Sequence, residues 1–164
     1  MAEMTGEAVR VAEQLRNAFT GEPWHGYPIL TLTKNIPVEL AAAKMVPGAH
    51  SIWEIVLHID IYVRAAIDAI AGTPIPRMWG TEVDWPSPAQ FQQELWRKDL
   101  LAAMRNAEAL AVAVESMPDA KLAETVPGRT YDFYYLLHGI IQHSLYHAGQ
   151  IALLTSAGKT VNPD

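Results

Sequence analysis

The chain has 164 residues, 50% apolar and 18% charged, which excludes a disordered chain and predicts one domain over residues 1–164. Its formal charge of −6 comes without any cluster of Lys or Arg, so we expect no nucleic-acid partner. There is no cysteine, which excludes disulfides and thiolate metal ligands.

The sequence gives no sign of a membrane span or an export signal. Residues 52–71 are apolar but are interrupted by Glu54, Asp60, Arg64 and Asp68, so they do not fit a transmembrane helix. Charged residues also occupy the N-terminal stretch, where a signal peptide needs an apolar block: Glu3, Glu7, Arg10, Glu13 and Arg16. We therefore expect no membrane partner and a cytoplasmic location.

Helical spacing of apolar residues predicts the first two helices. The first runs from about Thr5 to Ala18, and Gly21 follows its end. The second begins at Ser51, which forms a capping box with Glu54, and ends near Gly72. Between the two lies a long connection, residues 20–50, whose best strand candidate, Ile29–Thr33, is short and followed by a proline.

Two further helices complete the predicted fold. The third is predicted to start at Ser87, with a proline at its first position, and to end near Met117. The fourth opens near Thr130 or Asp132 and runs to Ala157, with Gly158 as its cap. No long run alternates with period two, so we predict an all-α four-helix bundle with a long crossing connection between helices 1 and 2.

Several tryptophans fall in the predicted connections rather than in the helices. Trp24 lies in the first connection, and Trp79 and Trp85 lie in the one before the third helix. Aromatic residues in such places either cover the bundle core or line a pocket. Because tryptophan is buried to a large extent in most proteins, we favour the covering role.

Among the six histidines, His143 and His147 form a pair on the fourth helix. A spacing of four residues places both side chains on one helix face. That face also carries Leu136, Ile140, Ile151 and Leu154, so the pair points into the apolar stripe, where each ring needs a partner. Neutral core histidines with hydrogen-bonded neighbours are one interpretation, and a shared metal ion that satisfies both rings is the other.

His58 is the best candidate for a third ligand. It lies in the middle of the second helix at the edge of its apolar stripe, and Ala65 and Ala69 on the same side would leave space open beside it. Metal sites in helical bundles take ligands from facing helices. We interpret His50 and His138 as structural or exposed, and we leave His25 open between a site role and packing.

These residues also carry a family resemblance. Residues 48–59 (GAHSIWEIVLHI), residues 143–151 (HSLYHAGQI) and residues 19–26 (FTGEPWHG) resemble the DinB/YfiT family of metal-binding four-helix bundles. The resemblance implies a frequently dimeric bundle that binds zinc, nickel or another divalent ion through the positions of His58, His143 and His147. Relatives include thiol S-transferases that use bacillithiol or mycothiol, a mycothiol-dependent isomerase and many members without known activity.

Three neutral ligands leave a bound dication its full charge, which lowers the pKa of a bound water or thiol. The main hypothesis is therefore a metal-dependent thiol S-transferase or hydrolase acting on a small molecule. Because the chain has no cysteine, the thiol would come from an exogenous low-molecular-weight compound. A non-catalytic metal-binding stress-response protein and a metal-free interaction bundle are the alternatives.

Four further residues lie close enough in the sequence to the helices of this site to be candidates for other roles there. We interpret Glu54 as the capping partner of Ser51 and Asp132 as a first-turn acid, which leaves no clear general base. Tyr146 and Gln150 lie near the paired histidines on the fourth helix and are expected to orient them or a substrate.

Overall fold

The fold is helical throughout the part of the chain that the structure describes. The structure is a computed structural model that describes the backbone of residues 6–161 and the side chains of residues 6–158. The helices are α1 (Glu7–Phe19), α2 (Ile29–Thr33), α3 (Val38–Ala42), α4 (Ile52–Ile70), α5 (Gln93–Glu115) and α6 (Phe133–Val161), with a 3-10 turn at Asp119–Ala123. Within residues 6–161 there is no strand, only an isolated bridge between Thr125 and Asp132. The all-α prediction is confirmed.

The four long helices form a ring around one apolar core. Helix α5 packs against α1 and α4, and α6 packs against the same two helices from the other side. The largest side chains with under 2% exposure come from all four helices, among them Phe19, Trp53, Leu110 and Ile151. No helix among the described residues has both the length and the apolar character needed to cross a membrane.

The connection between α1 and α4 contains the two short helices. Each begins directly after a proline, Pro28 for α2 and Pro37 for α3, so the stretch that looked most like a strand is a helical turn. Helix α2 packs on α6 and α3 packs on α4. The indole of Trp96 on α5 donates to the Ile36 carbonyl at 2.9 Å, which ties the connection to the bundle.

Helix starts are set partly by local and partly by distant residues. The capping box of α4 is confirmed, since the Glu54 amide donates to Ser51 Oγ and the Ser51 amide donates to the Glu54 carboxylate. The predicted start of α1, Thr5, lies outside the described residues. The first amides of α1 are capped by a distant side chain, because the amides of Glu7 and Ala8 donate to the Asp119 carboxylate at 2.9 Å each.

The predicted start of the third helix is wrong. Helix α5 begins at Gln93, and Ser87 does not cap it. The Ser87 hydroxyl instead donates to Glu54 Oε1 on α4 at 2.8 Å. A contact with a residue 33 positions away therefore takes the hydroxyl that the local pattern assigned to a cap.

The predicted end of the fourth helix is also wrong. Gly158 does not cap α6, because the helix continues through it to Val161. A Cβ atom at this position would collide with the side chain of Leu40 on the crossing connection. The glycine therefore allows close packing inside a helix and does not end it. At the other end, the start at Asp132 is confirmed, since its carboxylate accepts the amide of Tyr135 at 2.8 Å.

Candidate metal centre

Three histidine rings converge between α4 and α6. His58 comes from the middle of α4, and His143 and His147 lie one turn apart on α6. Their Nε2 atoms are close, with His143 Nε2 at 2.9 Å from His58 Nε2 and at 3.1 Å from His147 Nε2. One nitrogen from each ring lies within 4.8 Å of the others, and the cluster, searched among the described residues, contains no carboxylate. These three residues could hold a metal ion.

The outer nitrogens of two of these rings have partners that fix the rings. His58 Nδ1 donates to the backbone carbonyl of Asp84 at 2.6 Å, and His147 Nδ1 lies 2.6 Å from the amide oxygen of Gln150. A carbonyl oxygen cannot donate, so each Nδ1 carries the proton and each Nε2 presents a lone pair to the centre of the cluster. This arrangement fits a bound divalent cation, which takes neutral imidazole nitrogens whose other ring nitrogen is hydrogen-bonded.

His143 lies at the centre of the cluster and has a different environment. Its Nδ1 is buried and has no hydrogen-bond partner within the described part of the chain. Burial, together with repulsion from His147 and His58, lowers the pKa of His143 to about 3. Burial also lowers the pKa values of His58 and His147. All three rings are therefore neutral near pH 7, as ligands must be.

The connection between α4 and α5 holds His58 in place. The carboxylate of Asp84 accepts the Tyr62 hydroxyl at 2.8 Å and the Gly80 amide at 3.2 Å, which positions the carbonyl that His58 uses. Trp85 stacks on the His58 ring with centroids 3.8 Å apart, and His50 stacks on the other face of Trp85 at 3.5 Å. Burial, with the hydrogen bond to Asp84, raises the pKa of Tyr62, so Tyr62 stays a hydrogen-bond donor.

A cavity of about 400 Å³ reaches the cluster from the side of His147. We call it the His147 cavity. Its apolar walls come from the crossing connection, α4, the loop before α5, and α6: Val46, Ala49, Ile55, Trp85, Leu153 and Leu154. His50, Tyr146 and Gln150 supply its polar groups. The predicted open space beside Ala65 is not at the cluster, because Tyr62 lies one turn from His58 with its ring 5.0 Å away.

The other histidines stay out of the cluster. His138 lies toward α1, with its ring against Tyr134 at a centroid distance of 4.3 Å. His25 is exposed in the crossing connection. His50 contributes to the ring stack and to the cavity wall, so it lies next to the centre, which its position before the capping serine did not indicate.

The tryptophans of the connections do not share one role. Trp24 is 102% exposed and Trp79 is 77% exposed, so the predicted covering role is wrong for both. Trp85 does cover part of the bundle, since it lies against His58 and lines the His147 cavity. No local pattern separates Trp85 from the other two, because its burial depends on the ring beneath it.

The comparison with known proteins agrees with this geometry. The sequence model of the DinB superfamily matches residues 28–151, a stretch that includes all of α4 and all three converging histidines. The chain belongs to the DinB superfamily. The DinB match begins at the start of the crossing connection's short helices and ends on α6 just after the cluster. No curated protein sequence gives a significant match to the chain.

Sequence reasoning missed two residues of this DinB centre. Asp84 and Tyr62 hold the loop that orients His58; Tyr62 lies four residues after His58 on α4, a spacing that could have indicated it, whereas Asp84 carries no such signal. The predicted orienting role of Gln150 agrees with its contact to His147. Tyr146 accepts the amide of Gln150 at 3.2 Å and therefore supports this contact from outside.

Proposed function

We propose that this DinB chain binds a divalent metal ion, zinc or nickel, through His58, His143 and His147 and uses it as a thiol S-transferase or hydrolase. The observation that supports this most is the convergence of three Nε2 atoms on one point. Two of those rings are already held with their lone pairs inward. A small-molecule substrate and a homodimer belong to the same proposal.

A divalent ion held by three neutral imidazoles keeps its charge and, when bound, lowers the pKa of a thiol or water that joins it. The residues of this chain hold the ligand rings, exclude water and leave room for a substrate. Gln150 and the Asp84 carbonyl hold the ligand rings, and Trp85 excludes water from one face of His58. The His147 cavity leaves one side of the cluster accessible to a small molecule.

The surroundings of the centre favour thiol transfer over hydrolysis. Two buried carboxylates near the centre are engaged: Asp84 accepts Tyr62 and Gly80, and Glu54 accepts Ser51, Ser87 and the Lys44 ammonium. Burial acts to raise the pKa of Glu54, but these hydrogen bonds lower it overall, so it is a poor base. In thiol transfer the sulfur attacks an electrophilic carbon, and the leaving group departs with its electron pair while the thiol proton goes to solvent.

The first test is the metal content of purified protein. Zinc-loaded wild type should carry about one ion per chain, and His147→Ala should lose most of it, because two nitrogens form a far weaker site than three. His138→Ala, on the same helix and outside the cluster, is the matched control and should keep its zinc. Unchanged zinc in His147→Ala would contradict the ligand assignment.

The non-catalytic alternative draws support from the same engaged carboxylates, since neither Asp84 nor Glu54 is free to act as a base. It differs from the main proposal in turnover. The zinc-loaded protein should accelerate the reaction of N-acetylcysteine with 1-chloro-2,4-dinitrobenzene by about tenfold or more over His147→Ala, a modest contribution for such a centre. Zinc binding without acceleration of this reaction or of 4-nitrophenyl acetate hydrolysis would favour the stress-response alternative.

A further inference from the structure

The walls of the His147 cavity are apolar and partly exposed. Val46, Tyr146 and Leu153 are exposed by 46%, 66% and 70%, and all three line it. Farther in, the walls are formed by Ile55 and Leu154, which are buried. A cavity of about 400 Å³ falls in the range of small-molecule sites. Its shape and surface therefore suit a ligand of modest size with an apolar body.

The cavity has no charged wall. Among the described residues that line it there is no Asp, Glu, Lys or Arg. The buried carboxylate of Glu54, 3.6 Å from Nδ1 of the wall residue His50, is paired with the ammonium of Lys44 at 3.1 Å, so its charge is offset locally. An ionic group placed in this cavity would lose water without gaining a partner of opposite charge, which is unfavourable.

The polar groups are gathered at the end of the cavity near the histidine cluster. His147 itself lines the cavity, and Gln150 and Tyr146 lie beside it on α6. The Tyr146 hydroxyl accepts the Gln150 amide, which leaves its own proton available to a ligand. By contrast, the larger cavity of about 590 Å³ beside Arg64 and Asp68 is lined by none of the three clustered histidines.

We propose that the His147 cavity binds the neutral, apolar or aromatic body of a small molecule whose reactive end lies against His147. As a statement about substrate class it rests on the proposed function, but binding itself does not require a metal ion. Selectivity against charged bodies follows from the uncharged walls. The exposed side chains of Leu153 and Val46 would contact the apolar body of the ligand and be removed from water.

The test compares two dyes that share a ring skeleton. N-phenyl-1-naphthylamine is neutral, and 8-anilino-1-naphthalenesulfonate adds one negative charge. Both are titrated into metal-free full-length protein and, in parallel, into zinc-loaded protein whose zinc content is measured. In the metal-free protein the neutral dye should bind tighter by about tenfold or more, because the sulfonate finds no counter-charge.

Variants locate the bound dye. Leu153→Asp places a charge on the cavity wall and should weaken binding of the neutral dye by about tenfold or more. Leu101→Asp is the matched control, since Leu101 is 54% exposed on α5 and outside the cavity, and it should leave binding unchanged. Ala49→Phe fills the cavity without adding charge and should reduce binding in the same way. Circular dichroism checks that each variant folds.

Three outcomes would overturn the proposal. One is neutral-dye binding that neither Leu153→Asp nor Ala49→Phe weakens, and another is equal affinity for the two dyes in metal-free protein. The third is a wild-type protein that binds no dye and sediments as a dimer, while Leu153→Asp sediments as a monomer. A second copy of the chain would then cover the cavity. Wild-type protein that takes up zinc but does not bind the neutral dye would contradict the cavity proposal alone, whereas dye binding without zinc uptake would contradict only the metal proposal.

Discussion

Two stretches of α6 carry histidines in opposite situations. His143 and His147 face α4, and His143 Nε2 lies 2.9 Å from His58 Nε2 and 3.1 Å from His147 Nε2. His138 lies toward α1, beside Glu7 and Arg10, and its buried Nε2 has no hydrogen-bond partner in the described part of the chain. Burial of a histidine on this helix is thus not enough to make a ligand set. A ring from a second helix must reach the same point.

The largest expected effect is the loss of stability when the metal ion is removed. At a free zinc concentration about 1,000 times the Kd, binding adds about 4 kcal/mol to the free energy of unfolding. For a chain of this size a chelator should then lower the Tm of zinc-loaded wild type by about 10 °C. Calorimetry checks this. The same shift should persist in His138→Ala and disappear in His143→Ala. A chelator effect in His143→Ala would contradict the proposal that His143, unlike His138, is a ligand.

Acidification of the metal-free protein should give the next largest effect, through the stretch that contains His143. The pKa of His143 is about 3 in the folded protein and about 6.5 in an unfolded chain. Between these values the unfolded state binds a proton that the folded state does not, so stability falls as the pH drops below about 6.5 and is constant above it. Between pH 6.5 and pH 5 the loss from His143 is about 2 kcal/mol.

Urea unfolding at pH 7 and pH 5 measures this loss. His143→Leu should reduce the difference in stability between the two pH values. An equal pH dependence in wild type and His143→Leu would contradict the assignment of the lowered pKa to His143.

A smaller effect is expected from the group that orients His147. Gln150→Leu removes the acceptor of His147 Nδ1 and should weaken zinc binding by about tenfold, the lower end for such outer partners. Gln142→Leu changes an exposed residue on the same helix and is the matched control. Competition with a chromogenic chelator measures both. Equal zinc affinity in the two variants would show that the hydrogen bond does not position the ring.

The smallest effect concerns the backbone of α6. Gly149 is exposed, and a Cβ atom there would contact nothing within 4 Å, so Gly149→Ala should raise the free energy of unfolding by about 0.5–1 kcal/mol. Gly158→Ala should not give this gain, because the added methyl group meets Leu40. Urea unfolding compares the two. Stabilisation by both substitutions would show that the Leu40 side chain moves aside at little energetic cost.

Much of the fold could be predicted because local patterns determine it. The capping box at Ser51 and the period of the apolar residues depend on neighbours within one or two turns. The errors at Ser87 and Gly158 share one cause. Each residue is governed by a partner distant in the chain, Glu54 in one case and Leu40 in the other, and no local pattern contains that partner.

The candidate site also contains residues that local patterns predict and residues that they do not. The pair on α6 could be predicted from a four-residue spacing, and His58 from its place on an apolar stripe. The oxygen that orients His58 is a backbone carbonyl 26 residues away, and a carbonyl is present at every residue, so the sequence holds no sign of it. The ring stack of Trp85 between His50 and His58 likewise exists only once the loop before α5 is folded back.

The cap on α1 joins residues that are synthesised at different times. Helix α1 leaves the ribosome well before Asp119, the acceptor of its opening amides, which lies 111 and 112 positions later in the chain. Until α5 has been synthesised, α1 lacks the surface on which it packs, and until the turn that follows α5 has been synthesised it lacks this acceptor. Stable packing of α1 is therefore expected only after α5 and the turn at Asp119 have been synthesised.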